Sequence, residues 1–67
     1  MAEHRFPLKG LRQARVAAFL SQEALAARCD VSPGTISTLE LGKHEARLST
    51  IVLLAKALKV APEVLIG

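Results

Sequence analysis

The sequence predicts an all-α domain of five short helices, and three observations support this prediction. Of its 67 residues 51% are hydrophobic but only 3% are aromatic, which favours packed helices because strands draw on aromatic and β-branched side chains. Apolar residues recur at helical spacing. Serine, proline and glycine stand where helices would begin and end. A chain of this length can bury one small core, so residues 1–67 are expected to form a single domain.

The first two helices are predicted over residues 7–19 and 22–29. Pro7 suits a first helical turn and begins a helical-spaced stripe made of Leu8, Leu11, Arg15, Val16 and Phe19. Ser21 is a capping residue for the second helix. The inward face of that helix is predicted to carry Leu25, Ala26 and Cys29, with Cys29 as a small buried hydrophobic residue.

Three further helices are predicted over residues 33–41, 48–58 and 62–66. Ser32 followed by Pro33 combines a capping serine with a proline at the first helical position, and Gly42 supplies a left-handed stop. The fourth helix is predicted from apolar residues at helical spacing, namely Leu48, Ile51, Val52, Ala55 and Leu58. Pro62 opens the last helix.

Charge and composition exclude several classes of protein. Nine Lys and Arg against six Asp and Glu give a net charge of +3, which is compatible with a nucleic-acid partner without being diagnostic. Cys29 is the single cysteine, and with His4 and His44 it forms no zinc-ligand spacing, so no metal or other cofactor is expected. No apolar run approaches the ~20 residues of a membrane span, so a cytoplasmic location is expected. No catalytic motif is present, and the chain is not expected to be an enzyme.

Residues 22–39 carry the most informative pattern. They form two short predicted helices separated by about three residues, which is the spacing of a DNA-binding helix-turn-helix. Any small helical bundle needs apolar residues where its helices meet. The pattern by itself therefore leaves a helix-turn-helix and a generic bundle open.

Several short blocks, in order and at fixed spacing, resemble one family. They are Leu20-Ser21-Gln22-Glu23-Ala24-Leu25-Ala26, Val31-Ser32, Thr35-Ile36-Ser37, Leu39-Glu40, Gly42-Lys43 and Leu54-Ala55-Lys56-Ala57-Leu58. Over roughly residues 8 to 66 the chain resembles the phage Cro and repressor type of helix-turn-helix protein, the XRE family. The resemblance implies a compact five-helix lambda-repressor-like DNA-binding domain, with its third helix in the major groove and a homodimer on a near-palindromic operator.

The resemblance also implies which residues contact DNA. Gln22 corresponds to a glutamine that hydrogen-bonds the DNA backbone, and Lys43, His44 and Arg47 lie in a loop that runs beside the backbone. The positions that meet base edges carry Ser32, Pro33, Gly34, Thr35, Ser37 and Thr38. Relatives often have glutamine, arginine or asparagine there, whereas Pro33 and Gly34 offer no side-chain donor or acceptor. Specificity would then depend on short hydroxyls, apolar contacts or DNA shape.

Two further predictions concern the structure that supports this site. Arg15 in an apolar stripe and Glu40 in the third helix would each be costly to bury alone, so they are expected to form a structural ion pair. Asp30 stands where relatives carry glycine, and aspartate tolerates the left-handed conformation that the turn needs. A surplus of apolar residues at the C-terminus, Val60, Val64, Leu65 and Ile66, indicates either a dimer interface or closure of the core.

The expected function is that of a sequence-specific transcriptional regulator. In the simplest form it is a repressor that binds double-stranded operator DNA as a homodimer and blocks polymerase by occupancy. The alternative is a protein-interaction module, such as an antitoxin-like chain with a protein partner and weak or autoregulatory DNA binding. No membrane partner is expected.

Overall fold

A computed structural model describes residues 4–67, and five helices account for most of them. The helices are α1 (Leu11–Ala17), α2 (Gln22–Cys29), α3 (Pro33–Glu40), α4 (Leu48–Leu58) and α5 (Pro62–Ile66). The predicted all-α class with five helices is confirmed. A small antiparallel ribbon, formed by β1 (Arg5–Phe6) and β2 (Ala46–Arg47), was not predicted.

The first helix is shorter than predicted at both ends. Pro7 does not open it: α1 begins at Leu11, and Gly10 occupies the N-cap position. The Gly10 amide donates to the Leu65 carbonyl oxygen at 2.9 Å, which fastens the entry of α1 to α5. At the other end the chain turns into a left-handed conformation at Phe19, with φ 59°. These two constraints confine regular helix to residues 11–17.

The predicted apolar stripe of α1 is buried only in its first half, so the prediction is wrong for its last residues. Leu8 and Leu11 are buried, but Val16 is 54% and Phe19 is 95% exposed. Because α1 ends at Ala17, helical periodicity does not apply to Phe19, and the turn directs its ring into solvent. Similarly, α3 ends at Glu40 rather than Leu41, which is the C-cap residue.

Side-chain caps begin α2 and α3, and the Val31 amide donates to the Ala26 carbonyl oxygen in the turn between them. Ser21 Oγ accepts from the Ala24 amide at 3.0 Å, and Ser32 Oγ accepts from the Thr35 amide at 3.3 Å, so each helix begins with a side-chain cap. Asp30 ends α2 in the left-handed region, with φ 55° and ψ 42°. The predicted aspartate-for-glycine turn is confirmed.

Side chains from every helix meet in one core. Its fully buried members are Leu11, Leu25, Ile36, Ile51, Leu54 and Leu65. Cys29 is buried as predicted, its Sγ lies 3.9 Å from the Leu53 carbonyl oxygen, and desolvation raises the pKa of its thiol. The packing of α2 and α3 on this shared core fixes their relative orientation.

A polar link joins α1, α2 and α3 at the edge of the core. Arg15 Nε donates to Glu40 Oε2 at 2.5 Å, and Arg15 Nη2 donates to Glu40 Oε1 at 3.1 Å. The same Oε1 also accepts a hydrogen bond from Gln22 Nε2 at 3.1 Å. Arg15 Nη1 also donates to the Leu20 carbonyl oxygen at 2.8 Å. Only 12% of the Arg15 and 4% of the Glu40 side chain is exposed. Each helix of the helix-turn-helix is therefore tied to α1 through one carboxylate.

This arrangement shifts the pKa values of both partners. Desolvation raises the pKa of Glu40, but the hydrogen bonds from Arg15 and Gln22 and the positive charges of Arg15 and Arg12 together outweigh it, so the pKa lies below its ordinary value. The hydrogen bond to Glu40 raises the pKa of Arg15 further. Because the folded pKa of Glu40 is depressed, its contribution to stability is present above the unfolded pKa and is lost as pH falls through the folded value.

Replacing the carboxylate tests this link. Glu40→Gln leaves the Arg15 charge without its counter-ion and is expected to lower the free energy of unfolding by about 2 kcal/mol near neutral pH. The difference from the wild type should narrow as pH falls below the ordinary glutamate value of 4.5, because protonated Glu40 resembles glutamine. Urea denaturation across pH 3–7 measures both effects. Glu63→Gln, at an exposed carboxylate, is the control, and a pH-independent difference for E40Q would contradict the ion-pair assignment.

Alanine substitutions at two glycines test the close contact between α1 and α5. A Cβ on Gly10 would overlap the Val64 carbonyl oxygen, whereas one on Gly34 meets nothing closer than Ser32 Oγ at 3.9 Å. Gly10→Ala is therefore expected to destabilise the domain by about 1–3 kcal/mol through overpacking. Gly34→Ala should be neutral or stabilising by about 0.5 kcal/mol because alanine favours helix. Equal denaturation midpoints for the two variants would contradict the close contact.

Candidate nucleic-acid interface

The outward face of α3 is open to solvent along its first two turns. Ile36 and Leu39 point into the core, and the opposite side of the helix carries Pro33, Gly34 and Thr35, all exposed. Ser37 and Thr38 continue this face and are partly exposed. The face is narrow and carries only small side chains, so a ligand can approach the helix backbone closely.

The hydroxyl groups of this face are already oriented by bonds within the helix. Thr38 Oγ1 donates to the Thr35 carbonyl oxygen at 3.0 Å, so its lone pairs are the groups left to face outward. Ser32 Oγ and Thr35 Oγ1 lie 3.0 Å apart, so one of these two hydroxyls donates a hydrogen bond to the other. In the major groove, outward lone pairs match the amino groups of adenine and cytosine.

An open groove of about 680 Å³ lies on one side of this face. It separates α3 from β2 and the start of α4. The groove brings together six of the residues that the sequence predicted for DNA binding, namely Ser32, Gly34, Thr35, Thr38, His44 and Arg47. One carboxylate, Glu45, also lines it.

Three polar residues of the same groove were not predicted, namely Arg5, Ser49 and Thr50. Arg5 reaches it through the β1–β2 ribbon, and a strand of two residues leaves no periodic signal in the sequence. Ser49 and Thr50 lie in the first turn of α4, and their polar character at a helix start was a usable signal. Among residues 4–67 no side-chain hydrogen bond caps α4. Ser49 and Thr50 bring the start of this helix, which is the positive end of its dipole, to the groove.

The other side of α3 holds a smaller hollow of about 210 Å³. Here Gln22 and Ser37 lie beside Arg12 and the Arg15–Glu40 pair. One N–H of the Gln22 amide group is committed to Glu40, and its second N–H and its oxygen are left for an outside ligand. Gln22 therefore lies on one side of the outward face of α3, and His44 and Arg47 lie on the other.

The remaining predicted residues are placed less uniformly. Lys43 is exposed and lines neither hollow. Leu65, for which the sequence left a dimer interface and closure of the core open, is fully buried in the core of its own chain and cannot form an outer surface. Val64 is 50% exposed, while Val60 and Ile66 are partly buried against the core.

Other kinds of site find little support in residues 4–67. No group of three or more His, Cys, Asp or Glu in that range could hold a metal ion. Over the same residues, no helix is both long and apolar enough to cross a membrane. The polar face of α3 has a hollow on each side, and arginine side chains line both hollows.

Comparison with known proteins agrees with this geometry. A family model described as helix-turn-helix matches residues 11–65. The structure of the restriction-modification controller protein C.AhdI from Aeromonas hydrophila is 35% identical, with a TM-score of 0.80, and the match covers 85% of this chain and 86% of that one. No curated protein sequence gives a significant match.

Two further solved structures are similar. The hypothetical transcription factor NHTF from Neisseria is 34% identical with a TM-score of 0.80, over 87% of this chain and 67% of that one. The clp gene regulator ClgR from C. glutamicum is 33% identical with a TM-score of 0.79, over 85% and 75%. The chain therefore belongs to the helix-turn-helix family, in its XRE branch, and is a DNA-binding transcription regulator.

Proposed function

We propose that the protein is a repressor that binds a near-palindromic operator as a homodimer and acts by occupancy. The observation that supports this most directly is the uncovered outward face of α3 from Pro33 to Thr38. A recognition helix must enter the major groove, which is about 12 Å wide, and nothing in the described chain blocks this face. The similar structures include proteins described as a controller and a gene regulator.

Base recognition is assigned to the small face itself. Ser32, Thr35, Ser37 and Thr38 supply hydroxyls, and Pro33 and the threonine methyl groups supply apolar contact for thymine methyl groups. Gly34 lets the helix backbone approach the base edges. A face without long side chains can form few direct hydrogen bonds to base edges, so part of the sequence selectivity is assigned to DNA shape.

Backbone contacts are assigned to groups that flank this face. Gln22 and the start of α2 lie on one side, and His44 and Arg47 lie on the other, at the groove beside α4. Lys43 precedes this pair in the same exposed loop. Phosphate contacts on both sides of a recognition helix fix its register in the groove.

The dimer surface is assigned to the α1–α5 side of the molecule. Val60 and Val64 line an apolar hollow of about 440 Å³ together with Ala17, Ala18 and Leu58. Val16 in α1 and Phe19 just after it are further exposed apolar residues. Leu65 is excluded from this dimer surface because it is buried, whereas the exposed part of Ile66 belongs to the surface. A two-fold dimer would place two α3 helices about 34 Å apart, one turn of DNA.

The alternative function, a protein-interaction module such as an antitoxin-like chain, rests on a different feature of α3. Leu41, the C-cap residue of α3, is 66% exposed, and Pro33 and Gly34 at the start of the same helix carry no polar side chain. This alternative predicts a stoichiometric protein complex on copurification and weak DNA binding. Selection of bound duplexes from a random pool separates it from the repressor, which should enrich a motif with half-site symmetry.

Two alanine variants distinguish base contacts from phosphate contacts. Thr38→Ala removes a hydroxyl from the recognition face and is expected to reduce the preference for operator over bulk DNA by roughly tenfold. Lys43→Ala should weaken all duplexes alike and make the slope of log affinity against log salt about 0.9 less steep per protomer bound. Fluorescence anisotropy between 50 and 200 mM salt measures both. Affinity that is independent of salt, or equal for every duplex, would rule out the regulator assignment.

A second pair of variants tests the dimer surface. Val64→Lys puts a charge on the α1–α5 side and is expected to weaken self-association by about tenfold or more, because the charge would be buried without a partner. Leu53→Lys is the matched control: Leu53 is 53% exposed, much like Val64, but lies on α4 away from the hollow. Sedimentation equilibrium gives the dissociation constants. A monomeric wild type, or a loss caused by L53K instead, would contradict this interface.

A further inference from the structure

We propose that Arg5 is a DNA-backbone contact, which the β1–β2 ribbon holds at the edge of the groove beside the recognition helix. The inference rests on the proposed DNA-binding function and adds a segment that precedes the helical domain. Arg5 and its strand β1 lie outside the helix-turn-helix match, which begins at residue 11, whereas the partner strand β2 lies within it.

The register of the ribbon determines where Arg5 lies. Phe6 pairs with Ala46, and Arg5 pairs with Arg47. Ala46 is buried at 4% exposure, and Phe6 packs against the core, so this pair faces inward. Side chains alternate between the two faces of a ribbon, and directly opposite residues share a face. Arg5 and Arg47 must therefore project together from the outer face.

That outer face forms one wall of the groove whose other wall is α3. Arg5 and Arg47 line it opposite the hydroxyls of Ser32, Thr35 and Thr38. The other titratable groups of the groove are Glu45 and His44, both exposed. Arg5 therefore adds a guanidinium group to the wall of the groove that faces α3.

The two walls differ in chemistry, and the difference identifies the ligand group. Short hydroxyls on α3 suit base edges, whereas a guanidinium group binds phosphate through paired hydrogen bonds. A DNA strand carries one phosphate charge per 3.4 Å of rise, so a helix lying in the major groove always has phosphates beside it. Arg5 is thus placed to contact the phosphate chain that borders the base-reading face.

Four single variants test this assignment by DNA binding at two salt concentrations. Arg5→Ala should make the slope of log affinity against log salt about 0.9 less steep per protomer bound. A fourfold rise in salt should therefore lower the DNA affinity of R5A about 3.5-fold less than that of the wild type. Arg5→Lys should keep the wild-type slope, because the charge is retained. Phe6→Ser, which removes the anchor of the ribbon, should behave like R5A. Lys56→Ala, at an exposed cation outside the groove, should match the wild type. Circular dichroism and thermal melts establish that each variant is folded.

The outcomes separate failure of this inference from failure of the proposed function. A wild type that binds without salt dependence overturns the DNA-binding function itself. A salt-dependent wild type with an unchanged slope in R5A overturns the contact while leaving the function in place. The same loss in K56A would attribute the effect to net charge, and a folded F6S with the wild-type slope would remove the role of the ribbon.

Discussion

The Arg15–Glu40–Gln22 link is the constraint on which the DNA-binding surface depends. A carboxylate with little access to water must be compensated, and here the compensation comes from two different helices. Because Glu40 belongs to the recognition helix, the same bonds that neutralise it also set the position of α3 against α1 and α2. Such pairs contribute little net stability compared with an apolar replacement, but their geometry is specific. The link is therefore better understood as orienting the helix than as stabilising the domain.

This orientation leaves α3 with one side on the core and the other in solvent. The exposed side carries hydroxyls, a proline and a glycine, so the surface that would meet the bases is shallow and close to the backbone. Long polar and charged groups flank this surface instead of occupying it: Gln22 and Arg12 lie on one side, and Arg5 and Arg47 lie on the other. In this arrangement the flanking groups provide affinity for the DNA backbone, and the outward face of α3 provides selectivity for the base sequence.

The β1–β2 ribbon and the α1–α5 contact show how segments outside the helix-turn-helix complete the domain. Phe6 and Ala46 cover an edge of the core, and the same register projects arginines outward. Gly10 lets the start of α1 hydrogen-bond to the last turn of α5, which buries Leu65. These long-range contacts decide which apolar residues at the two ends of the chain remain available to a second subunit.

The sequence by itself determined the fold class, the five helices and the pairing expected of Arg15 with Glu40. Those features follow from local rules: caps at Ser21 and Ser32, helical spacing of apolar residues, and the cost of burying a lone charge. Only the tertiary structure decided that α1 begins at Leu11, that Phe19 is exposed, that Leu65 belongs to the core, and that Arg5 joins the groove. Each of these depends on contacts between residues more than ten positions apart, or on a single backbone turn, and neither leaves a periodic signal in the sequence.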